Sequence, residues 1–252
     1  MRAEEALRED HTTAGFDPRA AVGLAAFVPR AGKLVVLEGL DGSGKETQTG
    51  LLAQALRDAD AEVRVVSFPV YSSEASGPVR MYLAGNFGAR PGDVNAYAAS
   101  SFYAVDRAAS YFSDWRGFYE AGGLVLADRY TTSNAVHQCS KLPREQWDEY
   151  LEWLFDFEYR LLGIPQPDLV VYLSVSAEAG RRLVEQRCAR DGVAKDIHER
   201  DEAYLARCRE AAEYCAARCG WTRVECAPGG VLRSIEDIHA EIAEIVKARE
   251  LT

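Results

Sequence analysis

The chain lacks any excess of basic residues. Its 252 residues hold 39 Asp and Glu against 29 Lys and Arg, a formal net charge of −10. A protein that grips a nucleic-acid backbone usually shows the opposite balance, because it must displace counterions, so no nucleic-acid partner is expected. A small phosphorylated ligand stays compatible, since it needs only a local cluster of Arg and Lys. No run approaches the ~20 apolar residues of a membrane-spanning helix, and the N-terminus lacks the apolar core of a secretory signal. The expectation is a cytoplasmic protein without a membrane partner. None of the six cysteines (Cys139, Cys188, Cys208, Cys215, Cys219, Cys226) forms a C-x-x-C pair, which reads as reduced thiols. Cys215 and Cys219 share one helix face at i, i+4 and could hold a metal, but packing is the better account of them. No repeat, low-complexity tract or Pro/Gly/Ser linker divides the chain.

What is present is enough apolar residue, 48% against 27% charged, to build a substantial core. Residues 1–31 mix charge, Gly and Pro without sustained periodicity and read as a poorly ordered extension; residues 32–252 read as the folded domain. There, short apolar β-branched runs ("KLVVLEG", "EVRVVSF", "GGLVLAD", "PDLVVYLSV", "WTRVECA") alternate with segments of helical periodicity. These are "ETQTGLLAQALRDA", "VNAYAASSFYAVDRAASYFSDWRGFYEA", "EQWDEYLEWLFDFEYRLL", "AEAGRRLVEQRCA" and "RDEAYLARCREAAEYCAARC". Strands apolar on both faces and separated by helices predict an α/β fold with a parallel sheet covered on both sides. Ligands of such sheets bind beyond the carboxyl ends of the strands.

The first of those ends reads "VVLEGLDGSGKETQ", Val35 to Gln48. Gly39, Gly44 and Lys45 fit the phosphate-binding pattern G-x-x-x-x-G-K. Glycines there let successive backbone N–H groups converge on one anion, and the lysine reaches the outer phosphates from the first turn of a helix. A glycine-rich turn with a surface lysine is the plain alternative, and the strand before and helix after make it the weaker one. Position 46, whose hydroxyl normally touches Mg²⁺, is Glu. Thr47 cannot substitute, because one step along a helix turns the side chain by roughly 100°. Glu46 suits a first helical turn on dipole grounds, but a carboxylate is also a hard oxygen ligand, and Glu46 is a candidate metal ligand. A third strand ends in "VLADRY", which places Asp128 and Arg129 where a buried strand emerges. An acid there can organise Mg²⁺ and its waters, and the arginine can fork onto a phosphate. A surface Asp–Arg pair is the alternative.

"EGLDGSGKETQ", "SSFYAVDRAAS", "DRYTTSNAVHQ" and "KDIHERDEAYL", in that order, resemble the thymidylate kinase family of P-loop nucleoside monophosphate kinases, particularly its bacterial branch, over roughly residues 32 to 247. The resemblance implies a P-loop NTPase fold with a five-stranded parallel sheet and a mobile lid near residues 187–200. It also implies ATP and Mg²⁺, homodimerisation, and transfer of the γ-phosphoryl group of ATP to dTMP. It assigns ATP to Gly39, Leu40, Asp41, Gly42, Ser43, Gly44, Lys45, Glu46 and Thr47, and Mg²⁺ to Asp128, beside the Glu46 carboxylate already read as a metal ligand. Asp41 would also bind the deoxyribose 3′-hydroxyl. Tyr103 matches the aromatic side chain that stacks on thymine, Arg107 the arginine on its O4, and their i, i+4 spacing lets one ligand touch both. Taken alone, Tyr103 reads as an ordinary core aromatic. Phe68, Arg129, Ser133 and Gln138 would line the acceptor pocket, with Tyr130 or its neighbours excluding a ribose 2′-hydroxyl.

Glu46 in place of Ser or Thr is one departure, although acidic residues occur there in the branch that the chain resembles, and two other differences concern basic side chains. Some family members carry a basic side chain inside the P-loop where this chain has Gly42, so the resemblance shifts that charge to lid arginines, Arg187 and Arg190. Taken singly, each reads equally as part of a solvated basic helix end. Where many members show F-P-x-R, this chain reads "FPVY" with Tyr71, leaving Arg129 or Arg80 to meet the monophosphate. The other readings are a sister kinase with a different acceptor and a nucleotide-binding protein without catalysis. Retention of Lys45, Asp128 and Arg129 weighs against the last, and the absence of an N-K-x-D guanine motif weighs against a GTPase switch.

Overall fold

The computed structural model describes residues 32–191, 197–198 and 201–251. Strands β1 (Lys33–Glu38), β2 (Val63–Ser67), β3 (Leu124–Asp128), β4 (Leu169–Ser174) and β5 (Thr222–Glu225) form one sheet in the order β2-β3-β1-β4-β5. Every neighbouring pair is parallel. This is the five-stranded architecture expected from the apolar runs. β3 and β4 are buried along their whole length and β1 after its first residue, because helices cover both faces.

Strand alternation divides the core in two. Val35 and Leu37 of β1 meet Leu52 and Leu56 of helix α1 (Lys45–Asp58) and Ile238 and Ile242 of the C-terminal helix. Leu34 and Val36 face the other way, onto Tyr111, Trp115, Tyr119 and Tyr130. The chain leaves β1 through α1 to the edge strand β2, returns to β3 beside β1, and then crosses to β4 on the other side. The ends of β1, β3 and β4 therefore flank the crevice where such sheets bind ligands.

The remaining helices, in chain order, are α2 (Gly77–Leu83), α3 (Ala96–Ser110), α4 (Arg116–Glu120), α5 (Thr131–Cys139), α6 (Trp147–Phe155), α7 (Ala177–Asp191), α8 (Glu202–Arg218) and α9 (Ile235–Ala248). Asn95, Asp201 and Ser234 start α3, α8 and α9 by accepting from the backbone N–H three residues on, which satisfies donors that a helix start leaves open. α2, α5 and α9 were not among the helical segments singled out in the sequence. Two others, expected as single helices, contain a wider π turn, at Tyr111–Trp115 between α3 and α4 and at Asp156–Leu161 after α6. Such a turn inserts a residue and rotates the face that follows. The second one brings Glu158, fully buried, into the interior.

All six cysteines are free, with Cys139, Cys208, Cys215 and Cys226 buried. Among the described residues no helix is long and apolar enough to cross a membrane. The expected N-terminal extension, 1–31, lies outside the described residues, as do 192–196 and 199–200 of the expected lid.

Candidate active site

β1 ends at Glu38 and the chain turns through Gly39 to Gly44 before α1 begins at Lys45. Gly42 and Gly44 hold φ of +79° and +81°, a left-handed conformation that costs glycine nothing. Ser43 N–H donates to Leu40 O at 3.1 Å, and Gln48 N–H to Gly44 O at 3.0 Å. The loop thus has the curl that an anion-binding nest requires. Lys45 is buried, and burial first, then the nearby Arg129, pulls its ammonium below the usual range. An incoming polyphosphate would restore that charge.

Arg129 leaves β3 with φ of +65°, a strained value for a residue with a side chain and one found most often at functional sites. Its N–H donates to Leu37 O at 3.2 Å. The bend swings the guanidinium back over the end of β1, where Nη2 donates to Asp41 and Nη1 lies 3.4 Å from Ser133 Oγ. Burial opposes its charge, but Asp41, Glu38 and Asp128 outweigh that and raise its pKa. The organiser beneath it is Glu38, which the sequence reading missed. Glu38 accepts from Gly39 N–H at 2.9 Å, from Thr132 Oγ1 at 2.5 Å and from Ser133 Oγ at 2.8 Å, and lies 3.8 Å from Arg129. The phosphate loop, the end of β3 and the start of α5 are therefore held on one buried carboxylate.

A cleft of about 750 Å³ opens above these groups. Asp41, Lys45, Glu46, Asp128 and Arg129 line its phosphate-loop end, and Phe68, Tyr103, Arg107, Ser133 and Gln138 its other walls. So the separate motifs of the sequence meet in one place. Phe68 packs its ring 5.9 Å from that of Tyr130. Both polar atoms of the Gln138 amide are buried without a hydrogen-bond partner among the described residues, as suits a side chain awaiting a polar ligand. Arg80 and Arg129, the two arginines left open for the monophosphate, both line this cleft, as does the half-exposed Tyr71. Arg80 is fixed there by Nη1 donating to Tyr71 O at 2.9 Å and Ser73 O at 2.7 Å. The turn carrying Tyr71 is pinned in turn by Asp106 of α3, which accepts from Val70 N–H at 2.9 Å.

Asn134, His137 and His198 also line the cleft and were not anticipated. His137 and His198 stack with ring centroids 5.5 Å apart, and His198 Nε2 lies 3.0 Å from the Tyr82 hydroxyl. Burial and then Lys141 push the His198 pKa down to about 3. Leu40 and Ser43 face a second cavity of about 370 Å³, walled by the start of α7 and by α8. Thr47 is exposed on α1 and lines neither space. The side chains of Arg187 and Arg190, near the end of α7, lie outside the described residues.

The residues present fit a magnesium ion. Oδ1 of Asp128 is buried with no hydrogen-bond partner among the described residues, and Oδ2 accepts only a long 3.3 Å bond from Ser67. Glu46 shares the cleft. Among the described residues no cluster of three or more His, Cys, Asp or Glu could hold a metal alone.

Residues 37–242 match the sequence profile described as Thymidylate kinase. A thymidylate kinase of Mycobacterium tuberculosis (strain H37Rv) is 33% identical over 190 residues, covering 75% of this chain and 87% of that one. The solved thymidylate kinase of Candida albicans superposes with a TM-score of 0.66 at 20% identity, covering 88% of this chain and 93% of that one, a likeness of fold. The profile spans the end of β1, the cleft and the helices that wall it, and the chain belongs to the thymidylate kinase family.

Proposed function

We propose that this protein transfers the γ-phosphoryl group of ATP to the 5′-phosphate of dTMP, giving dTDP and ADP. The observation that carries this reading is a single cleft with a P-loop lysine at one end, two arginines along its side, and an aromatic ring with a buried arginine beyond them. Phosphoryl transfer needs little covalent help, because the work is to align two anions and neutralise the charge between them. Lys45 and the loop N–H groups take the ATP phosphates. Arg80 and Arg129 receive the acceptor phosphate, and Tyr103 and Arg107 its base. Asp41 meets the sugar. Arg187 and Arg190 of the lid supply further charge to the transferring group, and closure over it excludes water. Asp128, with Glu46, would hold Mg²⁺, which neutralises phosphate charge when bound.

The same reading includes a homodimer in the cytoplasm. Its support is the family resemblance together with the exposed Val105 and Phe112 along α3 and the π turn after it, 50% and 53% accessible.

The test is ADP release with ATP and Mg²⁺, offering dTMP, dUMP, UMP, CMP, dGMP and thymidine in parallel, with Asp128→Ala as the control. Turnover on dTMP that falls by about a hundred-fold or more in the variant is expected. Preference for another acceptor would keep the kinase and overturn the base assignment, and ATP binding without transfer to any of them would overturn the reading.

A further inference from the structure

Arg107, the side chain read as meeting the base, does not stand free in the cleft wall. It is 2% exposed and packed against Glu158, which is 0% exposed and arrives from the π turn after α6. Nε donates to Oε2 at 2.7 Å and Nη2 to Oε1 at 2.6 Å, the paired geometry that fixes a guanidinium plane. Two more donors complete the carboxylate, Thr131 Oγ1 at 2.7 Å and Asn134 Nδ2 at 3.1 Å. A buried pair of this kind is weak evidence for stability, since each ion has lost its water. Its effect here is geometric.

With Nε–H and one N–H of Nη2 taken by Glu158, Arg107 keeps the second Nη2–H and both hydrogens of Nη1, and Nη1 makes only a long 3.4 Å bond to Tyr130 O. Asn134 is fixed by the same carboxylate. Its Nδ2 donates to Glu158 and, at 3.2 Å, to Ser100 O. Reversing that amide would aim its oxygen at two acceptors, so Oδ1 is left for the cleft that Asn134 lines. The wall therefore presents a donor and an acceptor of fixed polarity. That pattern suits a pyrimidine edge with a 4-oxo group and an N3–H. It opposes the cytosine edge, whose 4-amino group donates.

We infer that Glu158 is a positioning residue for acceptor selectivity, which sets the direction of the hydrogen-bonding groups that read the base without touching it. This rests on the reading that Arg107 meets the base.

The experiment compares Glu158→Gln, Glu158→Asp, Thr131→Val and Arg107→Lys with the parent, measuring KM for dTMP and for ATP, kcat, and the ratio of kcat/KM for dTMP over dCMP. In Glu158→Gln an amide faces the guanidinium and the polarity of the wall is lost. KM for dTMP should rise and the dTMP/dCMP ratio fall, each about ten-fold, with KM for ATP within about two-fold. Glu158→Asp should recover part of the ratio. If Glu158→Gln does not fold, Thr131→Val decides, because it removes one donor to the carboxylate and leaves the ion pair. A lowered ratio supports the inference and an unchanged one overturns it. A folded Glu158→Gln with the parent ratio, beside an Arg107→Lys that has lost it, overturns the role of Glu158 alone. An Arg107→Lys with parent behaviour overturns the base assignment itself, and the inference with it.

Discussion

Asp41 accepts a hydrogen bond from Nη2 of Arg129, tying the phosphate loop to the strained end of β3. The same oxygen lies 3.8 Å from Nζ of Lys45. One carboxylate thus stands between the two cations that the proposed function gives to the phosphates. It keeps them apart and oriented, and it offsets their repulsion while the site holds no anion.

Asp41→Asn should therefore separate binding from turnover. Removing the negative charge leaves Lys45 and Arg129 more attractive to polyphosphate, so ADP should bind at least as tightly by calorimetry. The anchor of Arg129 is weakened and the proposed sugar contact altered, so kcat should fall about ten-fold or more. If ADP affinity fell in step with kcat, Asp41 would be serving the nucleotide phosphates directly.

The missing basic side chain of the P-loop has a structural reason. A Cβ on Gly42 would lie 2.6 Å from Gly180 O of α7, and the residue holds φ of +79°. Left-handed backbone costs a residue with a side chain roughly 1–2 kcal/mol before any clash is counted. Gly42→Arg should lower the thermal midpoint by several degrees and slow turnover, and Gly42→Ala should reproduce most of the thermal loss. A stable, faster Gly42→Arg would show that α7 yields and that the position is open to a catalytic cation.

Much of this was legible in the residues. β1, β3 and β4 are apolar on both faces and short, so periodicity found them, and the spacing of Gly39, Gly44 and Lys45 pointed to the glycine turn between β1 and α1. The carboxylates beneath the site were less legible. Glu38 looks like a strand's polar end, and only the return of Thr132 and Ser133 to it shows its role. Glu158 sits in "LFDFEYRLL", where an unbroken α-helix misplaces it. The π turn shifts the face by one residue, and nothing in the local composition announces that shift. His198 and Asn134 reach the cleft through tertiary packing alone.

His198 gives the fold an acid-sensitive element. It packs its ring 5.3 Å from that of Tyr82, beside His137, Tyr204 and Lys141. Its pKa is lowered from 6.5 to about 3, by burial and then by Lys141. The unfolded chain takes up this proton first, so the stability linked to neutral His198 is intact above pH 6.5 and is lost as pH falls toward 3. In His198→Phe that loss should vanish. The difference in thermal midpoint between variant and parent should move in favour of the variant from pH 7 to pH 4. A constant difference would mean that the imidazole can take its proton in the folded state.

Asp128 and Glu46 should be unequal partners of magnesium. Asp128 presents a buried oxygen with no hydrogen-bond partner among the described residues, at a strand end whose register with Leu37 and Ser67 holds it still. Glu46 is exposed on the first turn of α1, free to turn and well hydrated, so it suits a contact through water. A rigid ligand fixes where the metal sits, whereas a mobile one mainly adjusts how tightly it is held. Asp128→Ala should then lower kcat by about a hundred-fold or more, even at saturating Mg²⁺. Glu46→Ala should raise the Mg²⁺ concentration for half-maximal rate several-fold and leave the plateau near that of the parent. A magnesium titration of both variants at saturating ATP and dTMP distinguishes them. An unchanged midpoint in Glu46→Ala would remove it from the metal site and leave its carboxylate only the stabilising interaction with the N-terminus of α1.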